Sequence, residues 1–541
     1  MSFMGLREQS LPTNPVPWLE RFAPLIPTLS DLAFLLPILV LFWSTTGVSW
    51  LLTDSDTGWH IRTGEWILKN GRVPMVDPFS FTMSGQPWFA WEWLSDVIMA
   101  LAHHVGGLAG VVWLAILLLG ATSVCVYKAA VEESDHRLIA IALTWLAMSA
   151  STIHWLARPH LVTPLMAAMF CRILNRAERK RDPACLWVLP PWMILWTNLH
   201  GGFFVGILLI GTYAIGSGAE ELLRGSRANA WLRSRKYVLT ALGCGLASLL
   251  NPYDYRLHTH VAEYLGTSFY FARISEFQSI DFHSFTAAYF ETLLVLAIAA
   301  AAWHLLSGRL IDVFLLLSWS HFALFSARNI PVFAVIVVPS VGLAMREWLE
   351  RCHWWNHFKA SVEDVESGLR LLADRFRTRT LHLAPCFAVL ALALLLAHPS
   401  HWKPLHAGFD DSRFPVDAAQ FLSQQRQLSS FRLYSSWQWG GYLIYRLWPS
   451  LRVFDDGRTD FYGPRFVNEG LRVWDAGPDW TSVLDRYQVN EVLLPVDSAL
   501  TSVMRESADW KAVYQDRVAV LFAKLENREG IYHCGGPHVR N

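Results

Sequence analysis

The sequence predicts a mainly α-helical protein that crosses a membrane many times and ends in a small α/β domain. Three observations lead to this fold class. Hydrophobic residues make up 53% of the 541 residues and charged residues only 17%, whereas a typical soluble chain is about one quarter charged. The apolar residues are gathered into long runs, and the last part of the chain changes to short β-rich segments. Tryptophan, which concentrates at membrane interfaces, occurs 27 times.

Several classes of protein are excluded by composition and motif content. The net charge is zero, so no basic field predicts a nucleic-acid partner. The seven cysteines are scattered, and we interpret them as small hydrophobic residues instead of a disulfide framework or a zinc site. No Walker A, G-x-G-x-x-G or H-E-x-x-H pattern occurs, so nucleotide-driven and zinc-protease classes lack their motifs.

About eleven transmembrane helices are predicted from apolar runs of roughly 17–25 residues. They lie near 32–52, 107–128, 137–155, 160–176, 184–199, 202–222, 237–250, 288–307, 310–327, 329–346 and 380–397. The first run is too long for the core of a signal peptide, so we expect it to remain as an anchor.

Positive charge gives the expected orientation of these spans. Basic clusters at 171–181, 223–236 and 346–379 are predicted to be cytoplasmic by the positive-inside rule. With the N-terminus inside, alternation of the spans then places outside the regions that follow the odd-numbered crossings, which are 53–106, 156–159, 200–201, 251–287, 327–328 and everything after 398. This solution requires 94–104 to be a surface helix, because its length is about half of what a crossing needs.

The domain organisation follows from that orientation. We predict a cytoplasmic segment at 1–31, a transmembrane domain at 32–400 and an extracytoplasmic α/β domain at 405–541. Residues 53–106 form a large first extracytoplasmic loop within the transmembrane domain.

The C-terminal domain is predicted from strands that alternate with helices. The expected strands lie in "FRLYSS" (431–436), "LRVFDD" (451–456), "EVLLP" (491–495) and "VAVLFAKL" (518–525). The expected helices lie at 416–426, 440–447, 480–487 and 499–509.

Unusual polar residues are predicted to gather on the outer side of the membrane. Ionisable groups at a membrane boundary are costly unless they are solvated or paired, so their convergence indicates function, although helix caps and wet loops also need polar residues. Carboxylates supply a general base or ligands for a hard cation, and arginine matches phosphate oxygens. Together with a lipid boundary, these groups favour a polyprenyl-phosphate substrate whose tail stays in the bilayer while its head group reacts outside.

Two stretches carry a resemblance to a known superfamily. The segment "DTGWHIRTGEWILKNGRVPMVDPFSFTMSGQPW" resembles the first extracytoplasmic loop of GT-C superfamily membrane glycosyltransferases, such as protein O-mannosyltransferases and lipid A aminoarabinose transferases. Both it and "SSWQWGGYLIYRLWPSLRVFDDGRTDFYG" resemble a broad group of bacterial proteins more closely. The second stretch is distantly similar to the Trp-Trp-Asp-Tyr-Gly region of oligosaccharyltransferase catalytic subunits. It lacks the acidic residue, so acceptor-peptide binding is not carried over.

The resemblance implies a glycosyltransferase, inverting as expected from the family, that moves a sugar from a polyprenyl-phosphate-linked donor to an acceptor glycan, lipid or protein. Its expected location is a bacterial inner membrane. Asp56 takes the place of the catalytic Asp, and Arg328 is the first candidate for the donor phosphate. The weaker phosphate candidates are Arg158, His160 and His200, and the candidate substrate-binding residues are His60, Asp77, Glu92, Glu276, Trp437, Trp439 and Tyr442.

Asp54 and Asp56 both follow the first span, and helix register separates them. From Asp56, His60 and Thr63 lie at i+4 and i+7 on one helix face. We therefore predict Asp56 as the catalytic base and Asp54 as a second catalytic-site residue with a capping or metal-supporting role.

The cofactor is unknown from the sequence. A divalent cation such as Mg or Mn is compatible with the carboxylates, and Glu276 is a candidate to hold it. The sequence does not require a metal, and no metal ligand set is assigned.

The segment "VFDDGRTDFYG" (453–463) is interpreted as a structural turn, with Arg458 pairing with Asp455 or Asp456. The aromatic residues at 437–445 fit sugar stacking and domain packing equally well.

Two other functions stay open at this point. The first is a transporter or flippase for a lipid-linked saccharide, which a helix broken at Pro190–Pro191 would suit. The second is a catalytically inactive GT-C fold that serves as a subunit of a membrane assembly.

Overall fold

The chain is mainly helical, as the predicted fold class requires. The computed structural model describes residues 28–44, 47–179, 182–352, 362–368, 388, 391, 406–425 and 427–525. The helices before residue 352 are Leu29–Trp43, Asp56–Asn70, Trp93–Ser134, Arg137–Ser151, Val162–Arg179, Leu189–Leu199, Phe204–Leu223, Arg227–Ala247, Tyr255–Gly266, Ser268–Arg273, Ala287–Leu306, Leu310–Phe325 and Ile330–Arg351.

Within the described residues, five helices are long and apolar enough to cross a membrane. They are Trp93–Ser134, Arg137–His154, Gly201–Leu223, Ala287–Leu306 and Ala327–Arg351, with shorter apolar helices at Leu29–Phe42 and Leu310–Phe325. The predicted spans near 160–176, 184–199 and 237–250 also form helices, but these are too short or too polar to count by length and composition. The predicted span at 380–397 lies almost entirely outside the described residues.

The surface helix predicted at 94–104 is separated from the following span by a backbone break. Gly106 and Gly107 leave helical geometry inside the long Trp93–Ser134 element. Gly107 has φ +58° and ψ −147°, a conformation that favours glycine. The break lets the first segment run in a different direction from the span after it.

The prolines at 190 and 191 do not break a helix. The preceding residues form a short 3₁₀ turn, Pro183–Val188, and the helix proper begins at Leu189. Prolines in the first turn remove no intrahelical hydrogen bond, because those N–H groups have no partner within the helix. The observation that favoured a transporter is therefore removed.

The C-terminal part of the described chain contains a four-stranded sheet with helices around it. The strands β1 (Leu433–Ser435), β2 (Glu491–Pro495), β3 (Trp510–Gln515) and β4 (Ala519–Lys524) lie in the order β1-β2-β4-β3. Strands β1 and β2 are parallel, and the other pairs are antiparallel. The helices are Val416–Ser423, Trp437–Leu447, Thr459–Trp474, Trp480–Arg486 and Ala499–Glu506.

One sequence expectation in this region is wrong, and two elements were not expected. The segment 451–456 forms no strand of the sheet, because Val453 makes only isolated bridges to Ser80 and Leu433. The two unexpected elements are the Thr459–Trp474 helix and strand β3. Glycine and proline at 463–464 interrupt the helical pattern in the sequence, and the helix changes direction at Gly463.

The first loop and the C-terminal region share one hydrophobic core. Trp59 and Trp88 from the loop pack in the same cluster as Leu443 and Leu493. Glycines allow the helices to meet, since a Cβ on Gly58 would lie 2.3 Å from the carbonyl oxygen of Gly441. This close packing fixes the start of the Asp56–Asn70 helix against the C-terminal region.

A cluster of charged side chains lies at the helix ends away from the first loop. Arg179 pairs with Glu133 and lies 3.1 Å from Asp312. Ser340 donates a hydrogen bond of 2.6 Å to Asp312. Because these charges are compensated where helices begin and end, we interpret this cluster as structural.

Candidate active site

One cavity of about 500 Å³ opens between the membrane helices, the first loop and the C-terminal region. Its polar wall includes Asp56, Glu92, Arg158, His200, Arg328 and Asp460. Its apolar wall includes Leu119, Met148, Val205, Leu208, Phe322 and Val335. The cavity therefore joins a charged end to an apolar channel between membrane helices.

Asp56 stands at the first turn of the helix that runs to Asn70. The Asp54 carboxylate accepts a hydrogen bond of 2.8 Å from the backbone N–H of Asp56, the first residue of this helix, whose N-cap position is occupied by Ser55. The Asp56 side chain is buried, with 8% of its residue surface exposed, and it faces the cavity.

Arg158 gathers three carboxylates around one guanidinium. Its nitrogens lie 2.6 Å from Asp54, 3.2 Å from Asp56 and 3.2 Å from Glu276. The positive charge of Arg158 is thus already compensated, which weakens the case for Arg158 as a phosphate ligand. The guanidinium also occupies the place among these carboxylates that a metal ion would take.

Burial and charge shift the acidity of this group strongly. Burial, followed by the Asp54 carboxylate, raises the pKa of Asp56 from 3.8 to about 8, against the opposing effect of Arg158. Burial would also raise the pKa of Glu276, but Arg158 and neighbouring groups lower it to about 2. The site therefore holds one carboxylate of raised pKa, Asp56, beside one of lowered pKa, Glu276, and a raised pKa near neutrality is expected of a general base.

Glu92 lies on the cavity wall, and its carboxylate is close to the imidazoles of His200 and His60. His200 Nε2 is 3.2 Å from Glu92 Oε1, and His60 Nε2 is 3.6 Å from Glu92 Oε2. His60 Nδ1 is 2.6 Å from the fully buried Asp96. Burial raises the pKa of Glu92 to about 7.

His200 is held as a neutral side chain by its neighbours. Its Nδ1 accepts a hydrogen bond of 3.0 Å from the Gly202 N–H, so the proton of the neutral ring lies on Nε2 and points to Glu92. Burial lowers the pKa of His200 well below its usual range. A neutral imidazole serves poorly as a cationic phosphate ligand.

Arg328 differs from Arg158 in having no ion-pair partner within the described part of the chain. Its guanidinium lies 5.3 Å from the ring centre of Phe277 and lines the cavity. Among the predicted phosphate ligands, Arg328 is thus the one whose charge is left for a ligand.

The sequence did not single out Gly457 as a site residue. A Cβ on Gly457 would lie 2.0 Å from Asp56 Oδ1, so the C-terminal region touches the predicted base directly. The neighbouring Arg458 is buried, pairs with Asp456 and Asp77 at 2.7 and 2.9 Å, and lies 4.5 Å from the Trp88 ring centre. The expected pairing of Arg458 with Asp456 is present, and its second partner Asp77 ties the turn to the first loop.

Other predicted substrate residues lie away from the cavity wall. Asp77 accepts a hydrogen bond from the backbone N–H of Ser80 and forms an ion pair with Arg458. Trp439 and Tyr442 are buried in the shared hydrophobic core, and Trp437 is 41% exposed. Trp59 lines the cavity instead, three residues after Asp56.

No group of three or more metal-ligating side chains is arranged to hold a metal ion in the described residues. Asp54, Asp56 and Glu276 do not fit a divalent cation in this arrangement, because all three face Arg158. No step of the chemistry below is assigned to a metal.

The raised pKa of Asp56 predicts a specific pH dependence. The sugar transfer that the sequence predicts should increase with pH as Asp56 loses its proton, and level off above about pH 8. Asp54→Asn removes the second cause of the raised pKa and leaves Arg158 more available to Asp56, so the acidic limb should move to lower pH. The measurement is kcat/KM against pH for both proteins, with an unmoved or alkaline-shifted limb contradicting the assignment.

No protein-family model matches the sequence, and no curated protein matches it. Among solved structures, the chain is similar to the Archaeoglobus fulgidus oligosaccharyltransferase in complex with zinc and sulfate. That similarity covers 92% of this chain and 72% of the other, with 12% identity and a TM-score of 0.48.

The chain is also similar to ArnT from Cupriavidus metallidurans bound to undecaprenyl phosphate. That similarity covers 90% of this chain and 97% of the other, with 15% identity and a TM-score of 0.45. The apo state of the same ArnT gives 14% identity and a TM-score of 0.41. TM-scores this low assign no function, so the contacts in the cavity carry the proposal below.

Proposed function

We propose that this protein is a membrane glycosyltransferase that moves a sugar from a polyprenyl-phosphate donor to an acceptor on the extracytoplasmic side. The observation that supports it best is the composition of this cavity. A basic carboxylate, a guanidinium that forms no ion pair with any described residue and an apolar wall from membrane helices meet there. A lipid-linked phosphosugar needs all three.

The apolar wall suits the lipid part of such a donor. Leu119, Val205, Phe322 and Val335 come from four different membrane helices and line the same cavity as Asp56. A prenyl chain placed along them stays in apolar surroundings while its phosphate reaches the polar end. This arrangement keeps the lipid in the bilayer during the reaction.

Arg328 suits the phosphate. A guanidinium forms strong, charge-assisted hydrogen bonds with phosphate oxygens. As the bond from the anomeric carbon to the phosphate oxygen breaks, its electron pair moves to the phosphate, and a cation already in place stabilises the developing charge.

Asp56 suits the acceptor. The acceptor hydroxyl oxygen attacks the anomeric carbon and gives its proton to the ionised Asp56 carboxylate. The products are the glycosylated acceptor, polyprenyl phosphate and protonated Asp56, which then releases its proton to water. A single displacement of this kind inverts the anomeric configuration.

Variants of Arg328 test the donor site. Arg328→Gln should weaken binding of undecaprenyl phosphate to the purified protein roughly 10- to 100-fold, because a charged hydrogen-bond donor is lost. Binding is measured by titration in nanodiscs. Arg256→Gln is the matched control, since Arg256 is exposed in the first turn of the Tyr255–Gly266 helix and pairs with Asp254.

Equal affinities of Arg328→Gln and Arg256→Gln for undecaprenyl phosphate would contradict the donor site. Transfer of sugar from an undecaprenyl phosphosugar to an acceptor in membranes that carry the protein, with loss in Arg328→Gln, would support the whole proposal.

A further inference from the structure

Four buried side-chain atoms on the cavity wall have no hydrogen-bond partner among the described residues. They are Trp59 Nε1, Asp96 Oδ2, His154 Nε2 and His160 Nδ1. Buried polar atoms are nearly always hydrogen-bonded in folded proteins. Several such atoms around one cavity indicate a ligand that supplies several hydrogen bonds, which an apolar chain alone cannot do.

His154 and His160 form the tightest pair in this group. Two short 3₁₀ turns, Thr152–His154 and Pro159–Leu161, bring the rings to 4.2 Å between centres. Each residue is only 7% exposed, and both line the cavity. The pair is therefore buried against protein on most sides and open to the cavity.

The hydrogen bond of His160 to the His154 carbonyl decides which of its ring nitrogens can accept a hydrogen bond from a ligand. His160 Nε2 lies 2.9 Å from the His154 carbonyl oxygen. A carbonyl only accepts, so Nε2 carries the proton. In the neutral ring, Nδ1 is then an acceptor. Arg158 and Arg328 line the same cavity, which disfavours a further positive charge on His160.

The polar atoms that lie directly beside the pair favour a hydrogen-bond donor as the ligand. Glu276 Oε2 lies 3.9 Å from His154 Nε2, beyond hydrogen-bond distance. A phosphate placed there would face the Glu276 carboxylate and the lone pair of His160 Nδ1. A hydroxyl group would donate to His160 Nδ1 and accept from other groups, as sugars do.

The pair is also linked to the predicted base. Glu276 beside His154 lies 3.2 Å from Arg158, and Arg158 lies 3.2 Å from Asp56. A sugar ring bound by His154 and His160 is therefore connected to the Asp56 carboxylate through Glu276 and Arg158.

We propose that His154 and His160 form a subsite for the hydroxyl groups of a saccharide, beside the Glu276 carboxylate. This subsite rests on the proposed glycosyl transfer, and it gives His160 a role different from phosphate binding. The saccharide is either the sugar of the lipid donor or part of a sugar acceptor, which share this chemistry.

Two variants separate ligand binding from a structural role. His160→Gln places an amide where Nε2 was and keeps a donor for the His154 carbonyl, but it loses the acceptor at Nδ1. His160→Asn places an amide oxygen where Nδ1 was and loses the contact with the carbonyl. A saccharide subsite makes His160→Gln the more damaging change, and a structural role makes His160→Asn the more damaging one.

The measurement is binding to the full-length protein in nanodiscs. The probes are undecaprenyl phosphate, its glucose, mannose and arabinose phosphosugars, and free methyl glucoside, methyl mannoside and methyl arabinoside. For at least one sugar, we expect the phosphosugar to bind the unaltered protein more tightly than undecaprenyl phosphate does. His160→Gln should weaken the binding of that phosphosugar about tenfold, and the affinity for undecaprenyl phosphate should stay unchanged.

The outcomes distinguish the subsite from the proposed function. A methyl glycoside that binds the unaltered protein and is weakened in His160→Gln identifies the acceptor as the source of the saccharide. Equal loss for undecaprenyl phosphate and the phosphosugars, larger loss in His160→Asn, or no binding of any saccharide probe would overturn the subsite. Absence of undecaprenyl phosphate binding would count against the proposed donor instead, with the methyl glycosides still deciding the subsite.

Discussion

Asp56→Asn should reduce sugar transfer by a factor on the order of 10²–10⁴, because the general base is replaced by an amide of the same shape. The protein should still fold and insert, since Arg158 keeps Asp54 and Glu276 as partners. The measurement is kcat/KM for transfer from an undecaprenyl phosphosugar. The matched control is Asp281→Asn, because Asp281 lies in the exposed loop before the Ala287–Leu306 helix.

Asp56→Asn should lower activity, but it should raise the stability of the folded protein. The pKa of Asp56 is about 8 in the folded protein against a usual 3.8. The folded state therefore binds the proton more tightly than the unfolded state does, so stability falls as pH rises from about 4 to 8. Asp56→Asn removes this cost, and its Tm relative to the unaltered protein should rise over that range. Full activity, or a Tm that falls steadily with pH relative to the unaltered protein, would contradict the role of Asp56.

Gly457→Ala should reduce transfer about 100-fold, as expected when a catalytic group is displaced by about 1 Å. The added Cβ would lie 2.0 Å from Asp56 Oδ1 and 2.7 Å from its carboxyl carbon. Either the carboxylate or the turn that carries Arg458 must move. Because Asp56 is fixed by the Asp54 contact and by Arg158, the movement disturbs the reacting geometry.

The control for this prediction is Gly245→Ala. Gly245 lies in the Arg227–Ala247 helix, and a Cβ there meets no atom within 4 Å. Activity should be unchanged in Gly245→Ala, and undecaprenyl phosphate should bind Gly457→Ala with its usual affinity because Arg328 is untouched. Activity of Gly457→Ala at the level of Gly245→Ala would show that the C-terminal region does not position Asp56.

The fold class could be predicted because its signals are long and local. Apolar runs in the first part of the chain and β-rich segments after residue 430 are read without knowledge of tertiary contacts. The Thr459–Trp474 helix was missed because glycine and proline interrupt its pattern at residues 463–464. The segment 451–456 has the composition of a strand, but Val453 is used in contacts with the first loop.

The candidate site could be predicted in part for the same reason. Asp56 and Arg328 stand directly beside apolar runs, so their position at a helix end is visible in the sequence. Gly457 contacts Asp56 across about 400 residues of chain, and no local pattern reveals such a contact. The aromatic residues Trp439 and Tyr442 have a composition that fits sugar binding, but tertiary packing places them in the core.

The sequence also does not show which of the two arginines, Arg158 or Arg328, forms ion pairs with carboxylates. The resemblance ranks Arg328 above Arg158 as a phosphate ligand, but the sequence shows no charge partner for either arginine. Only the structure shows that three carboxylates surround Arg158 while Arg328 faces the cavity without an ion pair among the described residues. This difference is the reason for proposing Arg328 as the phosphate ligand.

The most direct test of the proposed function is a cryo-EM structure of the full-length protein with undecaprenyl phosphate in nanodiscs. The proposal predicts phosphate density within hydrogen-bond distance of the Arg328 guanidinium. It also predicts prenyl density along the wall that includes Val205 and Val335. Phosphate density at a site away from Arg328, or lipid confined to the outer surface with the cavity left open to water, would contradict it.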